Sequence, residues 1–318
     1  MQKVLITGGG GFIGTHLAER LSGNADLVLF DSGRRDSLVH VPELGRHPRV
    51  NVVSGDVLDR DSIASALDGV DTVLHLAAIA GVSSYYQESL KTLQVNILGT
   101  VNLLEECAKR GVERFVGFST SEIFGSDALW VDEERPAAIG SSSERRWVYA
   151  ASKLASEQFT FRYAEQYGMA ATIVRPFNIY GPRQTGEGAI SNFLAAAVEG
   201  RPLKVYGDGS PLRAWCYVSD MVDAVEAILH RTGDTAGKAF NIGNPREVET
   251  TLGLARRVTR LVPGSRIEFE HVDRAEVRAR IPVVTRAREL LGFEPKVDLD
   301  EGLARTRDWV QSLKDTAR

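Results

Sequence analysis

Val4-Leu5-Ile6-Thr7 is an apolar run too short for a helix, and it passes straight into Gly8-Gly9-Gly10-Gly11-Phe12-Ile13-Gly14. Apolar residues then return at Ile13, Leu17 and Leu21, the spacing of one helix face. Strand, glycine turn and helix in that order commit the N-terminal half to a layered α/β design. The spacing Gly8-x-x-Gly11-x-x-Gly14 lets a backbone turn tightly and approach a pyrophosphate, which the helix N-terminus attracts with free N–H groups and its dipole. A second apolar strand, Leu27–Phe30, ends on Asp31, seventeen residues after Gly14. A carboxylate there can hold an adenosine ribose through its 2′-hydroxyl, and it repels a 2′-phosphate. The expected cofactor is therefore NAD rather than NADP. Arg34 and Arg35 follow closely and are read as a solvated loop. Asp56, after the third strand, is placed either for an adenine contact or beside a helix N-cap.

Further strand-like runs stand at 50–53, 72–76, 114–118 and 171–174, with helical stretches at 61–67, 90–109 and 149–167 between them. Strands apolar on both faces, alternating with helices, predict a Rossmann-like doubly wound parallel sheet. Eight prolines punctuate the chain from Pro176 onward, against three before it. That shift predicts two parts: residues 1–176 as the dinucleotide-binding domain, with a returning segment at 215–243, and residues 177–318 mainly as a smaller, irregular substrate lobe. Hydrophobic residues at 43% and charged residues at 25% fit a globular protein and exclude coiled coil or wholesale disorder. A net charge of −4 gives no electrostatic reason to expect nucleic acid or a membrane surface as partner. No apolar run reaches the ~18–20 residues of a membrane helix, and an opening strand pattern without a basic n-region or cleavage site leads us to expect a protein that is not secreted. The two cysteines, Cys107 and Cys216, form no metal or redox spacing, so reduced thiols in a cytoplasmic setting and no metal site are expected. His75, flanked by apolar residues, is read as a satisfied core histidine and Cys107 as a small packing hydrophobe. Trp130, Trp147, Trp215 and Trp309 are read as core or pocket wall, and Arg256, Arg257 and Arg260 as a solvated helix face.

Tyr149-Ala150-Ala151-Ser152-Lys153 sets a phenol and an ammonium four residues apart on one helix face. A phenol of ordinary pKa is a poor base near neutrality, but a neighbouring cation favours the phenolate and makes Tyr149 a usable general base. Ser119-Thr120-Ser121-Glu122 follows the apolar strand 114–118, and strand ends in such sheets open on one crevice.

Together, the glycine pattern, Asp31, His75-Leu76-Ala77-Ala78, Asn96, Ser119–Glu122, Tyr149/Lys153 and Arg175-Pro176-Phe177-Asn178 resemble, in order, the extended short-chain dehydrogenase/reductase family of nucleotide-sugar epimerases, dehydratases and decarboxylases. The resemblance implies NAD held by Gly8, Gly11, Phe12, Ile13, Gly14, Asp31, Asp56, Val57, Leu76, Ala77, Ala78, Asn96, Tyr149, Lys153 and Pro176. It implies catalysis by Tyr149, Lys153, Thr120, Ser121, Glu122 and Arg280. It implies a nucleotide-sugar substrate, most simply a UDP-sugar, met by Ser83, Asn178, Asn192, Tyr206, Arg213 and Arg280. Within the family, Thr120-Ser121-Glu122, Arg146-Trp147-Val148-Tyr149 and Arg280-Ile281-Pro282 resemble the UDP-glucuronate decarboxylase branch. A 4-epimerase or a 4,6-dehydratase is the alternative, and a non-catalytic NAD-binding regulator the distant one. Glu122, two residues past Thr120, is expected to share a strand-like face with it. The resemblance implies a homodimer paired through the two long helices, 90–109 and 149–167; Phe159, Tyr163 and Tyr167 recur on one face of the second, and they either meet that partner or cover the protein's own sheet.

Overall fold

The computed structural model describes residues 2–271 and 277–316. Seven strands form the large sheet: β1 (Lys3–Thr7), β2 (Asp26–Asp31), β3 (Val50–Ser54), β4 (Thr72–His75), β5 (Arg114–Phe118), β6 (Ala170–Pro176) and β7 (Lys238–Ile242). Their order is β7-β6-β5-β4-β1-β2-β3, and every pairing is parallel. The chain starts in the middle, runs out to β3, and crosses back to lay β4 on the other side of β1. That reversal opens a crevice at the strand ends, where ligands bind in such sheets. The inner strands are sealed on both faces: Val4, Leu5, Ile6, Val73, Leu74 and Phe115 are each no more than 1% exposed. Truncating a side chain packed this way costs about 2–5 kcal/mol.

Helices α1 (Phe12–Leu21), α2 (Arg60–Ala66), α3 (Gly99–Arg110) and α4 (Val148–Tyr167) cover the sheet along the first half of the chain. Helix α3 is entered through a short helix, Ser89–Leu93, and a π-helical turn, Gln94–Leu98. In the second half come α5 (Ala189–Val198) and α6 (Val218–His230), the latter packed on α1.

A second sheet has four short strands in the order Val248–Thr250, Leu212–Ala214, Ala279–Pro282 and Asp127–Val131. It draws three strands from the C-terminal half and one, Asp127–Val131, from before residue 176. Its register sets Arg280 beside Arg213 on one neighbour and beside Ala128 on the other. This pairing carries Arg280 to the end of β5. Trp147 and Trp215 are buried, but Trp130 is not core: it stands 58% exposed in the left-handed region, φ 49°, on the edge strand. Among the described residues, no helix is long and apolar enough to cross a membrane, and no group of side chains suits a metal ion.

Candidate active site

The glycine loop closes as a cradle. Gly8 has φ +70°, and a Cβ there would stand 2.8 Å from the Ala77 nitrogen; one on Gly14 would collide with the Gly8 carbonyl oxygen. No side chain caps the N-terminus of α1, so its first N–H groups remain for a ligand. Asp31 ends β2 with Oδ2 accepting from the Gly10 N–H at 2.9 Å and Oδ1 from the Gly33 N–H at 2.8 Å. The cleft above has a volume of about 490 Å³. Gly8, Gly11, Phe12, Asp31, Asp56, Val57, Leu76, Ala77 and Ala78 all line it. Arg34, Arg35 and Glu187 line it as well, with Arg34 tied to Glu88 at 2.6 Å. A bare helix N-terminus, a backbone that admits no side chain and a carboxylate at the end of the second strand fit a dinucleotide with a free 2′-hydroxyl.

Other expected cofactor residues sit differently. Ile13 and Gly14 lie in the first turn of α1, where Gly14 serves close packing on Gly8 and Gly9. Pro176 closes β6 beside Ile242. Asn96 is not free to meet a ligand directly. Its Oδ1 accepts from the Ile79 N–H at 2.8 Å, and its Nδ2 donates to the Ile79 carbonyl at 3.2 Å and to Ser152 Oγ at 3.0 Å. The π-turn holds it there and frees its carbonyl to accept from Thr100 and Ser156. His75 is a satisfied core residue, joined to Thr7 at 2.7 Å and Thr100 at 2.9 Å.

At the end of β5 the chain does not continue as a strand. Thr120 caps a 3-10 turn, Ser121–Phe124, its Oγ1 accepting from the Glu122 N–H at 3.2 Å. The expected strand-like extension is thus replaced by a turn that folds Glu122 inward, because the capping hydroxyl offers the backbone a closer partner than a neighbouring strand does. Ser121 and Glu122 are both buried. Glu122 Oε2 meets Arg146 Nη1 at 2.6 Å, and Oε1 meets Arg280 Nη1 at 3.0 Å. Burial pushes the Glu122 carboxyl up, yet Arg280 and Arg146 together outweigh it and hold the group below its ordinary range. The three side chains carry a net charge of +1 in a site where each is less than 10% exposed. Arg280 Nε and Nη2 are buried with no hydrogen-bond partner.

Tyr149 and Lys153 project from the start of α4 beside this cluster. Lys153 Nζ donates to the Phe118 carbonyl at 2.7 Å, and burial, opposed by the charge of Glu157, takes its pKa down to about 8. The protein alone does not depress Tyr149. Burial and the Glu122 charge push its phenol up, while Arg280 and Arg35 pull the other way. Its ring stacks on Tyr85 with centroids 5.2 Å apart and planes at 10°, and Arg146 lies over the Tyr85 ring at 5.5 Å.

Of the expected substrate residues, Arg213 stands next to Arg280 in the small sheet and donates to the carbonyls of Leu212 and Val277. Asn178 adopts φ 45° and donates to the Ala214 carbonyl at 2.9 Å, linking β6 to that sheet. Ser83 is exposed, its N–H bound by Glu187 at 3.1 Å. Asn192 is exposed on α5, and Tyr206, 43% exposed, ends the strand Leu203–Tyr206; neither joins the buried cluster. Tyr85 escaped the sequence reading altogether. Arg146 entered only as part of a motif, although its place one turn before Tyr149 was a usable signal.

Comparison with known proteins agrees with this geometry. Residues 4–243 match the model of the NAD dependent epimerase/dehydratase family. UDP-glucuronic acid decarboxylase 1 of Arabidopsis thaliana is 36% identical, over 95% of this chain and 68% of that protein. UDP-N-acetyl-alpha-D-glucosaminuronate decarboxylase of Bacillus cytotoxicus is 34% identical over 98% of this chain and 99% of its own. The structure of UDP-glucuronic acid 4-epimerase from Bacillus cereus, in complex with UDP-glucuronic acid and NAD, superposes with a TM-score of 0.90 at 27% identity, covering 98% of this chain and all of that one. The family match spans most of the chain and the decarboxylase relatives nearly all of it, and the chain belongs to the NAD dependent epimerase/dehydratase family as one of its enzymes.

Proposed function

We propose that this enzyme decarboxylates a UDP-linked uronic acid, with UDP-glucuronate as the first substrate to test. One observation carries the reading: Arg280 keeps two buried guanidinium nitrogens without a partner, in a cluster whose net charge is +1. A buried cation left so is costly unless an anion completes it. A hexuronate brings one negative charge; a neutral hexose brings none. The decarboxylase relatives support the same substrate class.

In this reading residues 1–176, with the returning segment 215–243, hold NAD, and residues 177–318 mainly hold the sugar nucleotide. NAD, when bound, supplies the hydride acceptor at sugar C4 and a positive charge beside the phenol. Tyr149 takes the proton of the C4 hydroxyl, with Lys153 keeping the phenolate accessible and Thr120 sharing the same oxygen. The resulting C4 ketone is β to the C6 carboxylate. Arg280 seats that carboxylate, and ionised Glu122 beside it opposes its charge. The C5–C6 bond breaks, its electron pair passes to the C4 oxygen as an enolate, and neutral CO2 leaves. The charge thus moves from C6 toward the Tyr149 hydroxyl, which donates to it. A solvent proton relayed by water beside Glu122 reaches C5, and the hydride given up at C4 returns to that carbon while Tyr149 gives its proton back to the oxygen.

A 4-epimerase acting on the same uronate is the second reading, favoured by the superposition on the Bacillus cereus enzyme. Incubation with UDP-glucuronate separates the two: CO2 and a UDP-pentose are expected. UDP-galacturonate without CO2 overturns decarboxylation. We further propose a homodimer, supported by the exposed Leu98, Phe159 and Tyr167, and a cytoplasmic setting, supported by two buried unpaired cysteines.

A further inference from the structure

Lys153 directs one N–H bond to the Phe118 carbonyl, and an ammonium has three to direct. Beside it lies a small cavity of about 10 Å³, room for about one water. Lys153, Glu157, Ser119 and His75 border it. Ser119 Oγ is buried there without a protein partner. Glu157 follows Lys153 by one helical turn on the same face of α4. It is 3% exposed, and Arg175 grips both its oxygens, Nε at 2.9 Å and Nη2 at 2.7 Å. The pairing with Arg175 explains how a carboxylate survives so deep. It does not explain why the pair is placed on the wall of the lysine's cavity rather than elsewhere along the sheet, where two apolar side chains would serve packing as well.

We propose that Glu157 is a positioning residue for Lys153: fixed by Arg175, its carboxylate lines the same small cavity as the lysine and keeps that lysine an ammonium directed at the end of β5. Burial works against the charged lysine, and Glu157 is the charge that opposes it. The other ionisable groups around Lys153 give it no help. His75, on β4, is held neutral by its own burial; Tyr149, on α4, is an uncharged phenol at rest; and Arg175, on β6, is spent on Glu157. The inference rests on Tyr149 and Lys153 being the proton-handling pair of the proposed reaction, so its test includes a measurement that needs no turnover.

That measurement is the titration of Lys153 by NMR in protein labelled at lysine Cε, with the resonance identified by its loss in Lys153→Arg. In Glu157→Gln the Lys153 titration is expected to move down by about one pH unit or more. The alkaline limb of kcat on UDP-glucuronate follows it. The variant loses about tenfold at alkaline pH and less than about threefold near neutrality, with KM unchanged and Glu157→Asp restoring part of the shift. Because glutamine strands the Arg175 guanidinium, Glu157→Gln/Arg175→Gln is measured alongside, and the same shift is expected. A Lys153 titration equal to wild type in the folded variants, or a loss of rate uniform in pH, overturns the proposal. A wild-type protein inactive on UDP-glucuronate overturns the decarboxylase reading instead, and the NMR titration still decides this one.

Discussion

Glu122 answers to two arginines, and the consequences of changing it differ from those of changing either partner. Glu122→Gln raises the cluster from +1 to +2 and removes the charge that opposes the bound carboxylate. UDP-glucuronate should still bind, while CO2 release falls by about 10²–10³-fold, the usual loss for one preorganised electrostatic group. Arg280→Ala works on the other side of the balance. It leaves Glu122 neutralised by Arg146 and takes away the unpartnered nitrogens. Hydrogen bonds to charged groups contribute about 1.5–3 kcal/mol, so the variant should lose about 10–100-fold in affinity for UDP-glucuronate and almost nothing for UDP-glucose. Calorimetric titration with both sugars checks this. Equal losses for the two would show that Arg280 holds the nucleotide rather than the acid.

The elements that aim these side chains depend on a few buried polar clamps. Asn96 ties the loop after β4 to α4, three hydrogen bonds from one amide. Asn96→Ala leaves the Ile79 N–H and carbonyl buried without partners, at about 1–3 kcal/mol each. We expect a denaturant midpoint lowered accordingly, together with weaker NAD binding, because Ile79 lines the cofactor cleft. An unchanged midpoint would mean that the loop finds other partners. What could be read in advance follows the same division between local and distant. The β1–glycine–α1 unit was legible because residues 3–21 encode it by themselves: short apolar strand, glycines at fixed offsets, helical spacing. The Tyr149–Lys153 pair was legible for the same reason. The Glu122 cluster was not, because it unites residues 122, 146 and 280 through a small sheet whose strands are three to five residues long and carry little pattern. Family resemblance supplied Arg280, but nothing local showed Arg146 as its counterpart. Likewise the turn at Ser121–Phe124 and the outward Trp130 are settled by one capping hydroxyl and one left-handed residue, too little sequence to leave a period.

At the scale of the whole molecule, the apolar residues left outside are as informative as the core. Phe159 and Tyr167 stand 39% and 54% exposed on α4, and Leu98, 51% exposed, lies where the adjoining helix begins. Pairing this face with a second copy would cover it, and Phe159→Glu should convert a dimer to a monomer in light scattering; a wild-type monomer at micromolar concentration would remove the premise. Stability of the whole fold should also depend on pH in a window set by two buried histidines. His16 accepts from Arg183 Nη2 on Nδ1 at 2.6 Å and lies 3.0 Å from the Pro182 carbonyl through Nε2, so it fits as the neutral ring. Burial first, then the Arg183 charge, takes its pKa down to about 4; burial takes His75 down to about 3. In the unfolded chain both titrate near 6.5. Below that value the unfolded state binds protons that the folded state refuses, so stability is full above pH 6.5 and declines as pH falls toward 4. Each histidine contributes a slope approaching about 1.4 kcal/mol per pH unit, and the two together about 3–4 kcal/mol between pH 7 and pH 5. Glu122 and the other carboxylates held low by their partners enter only below the ordinary carboxyl range, while Asp31, Glu133 and Asp220, pushed up by burial, offset part of the decline as pH nears that range, so the comparison with a histidine variant isolates the histidine share. Urea unfolding at pH 7, 6 and 5 should show the decline, and His16→Gln, which keeps an acceptor for Arg183 but cannot take a proton, should remove about half of it. A stability that stays level from pH 7 to pH 5 would mean that neither ring is held neutral in the folded protein, and a decline of half the size that only one of them is.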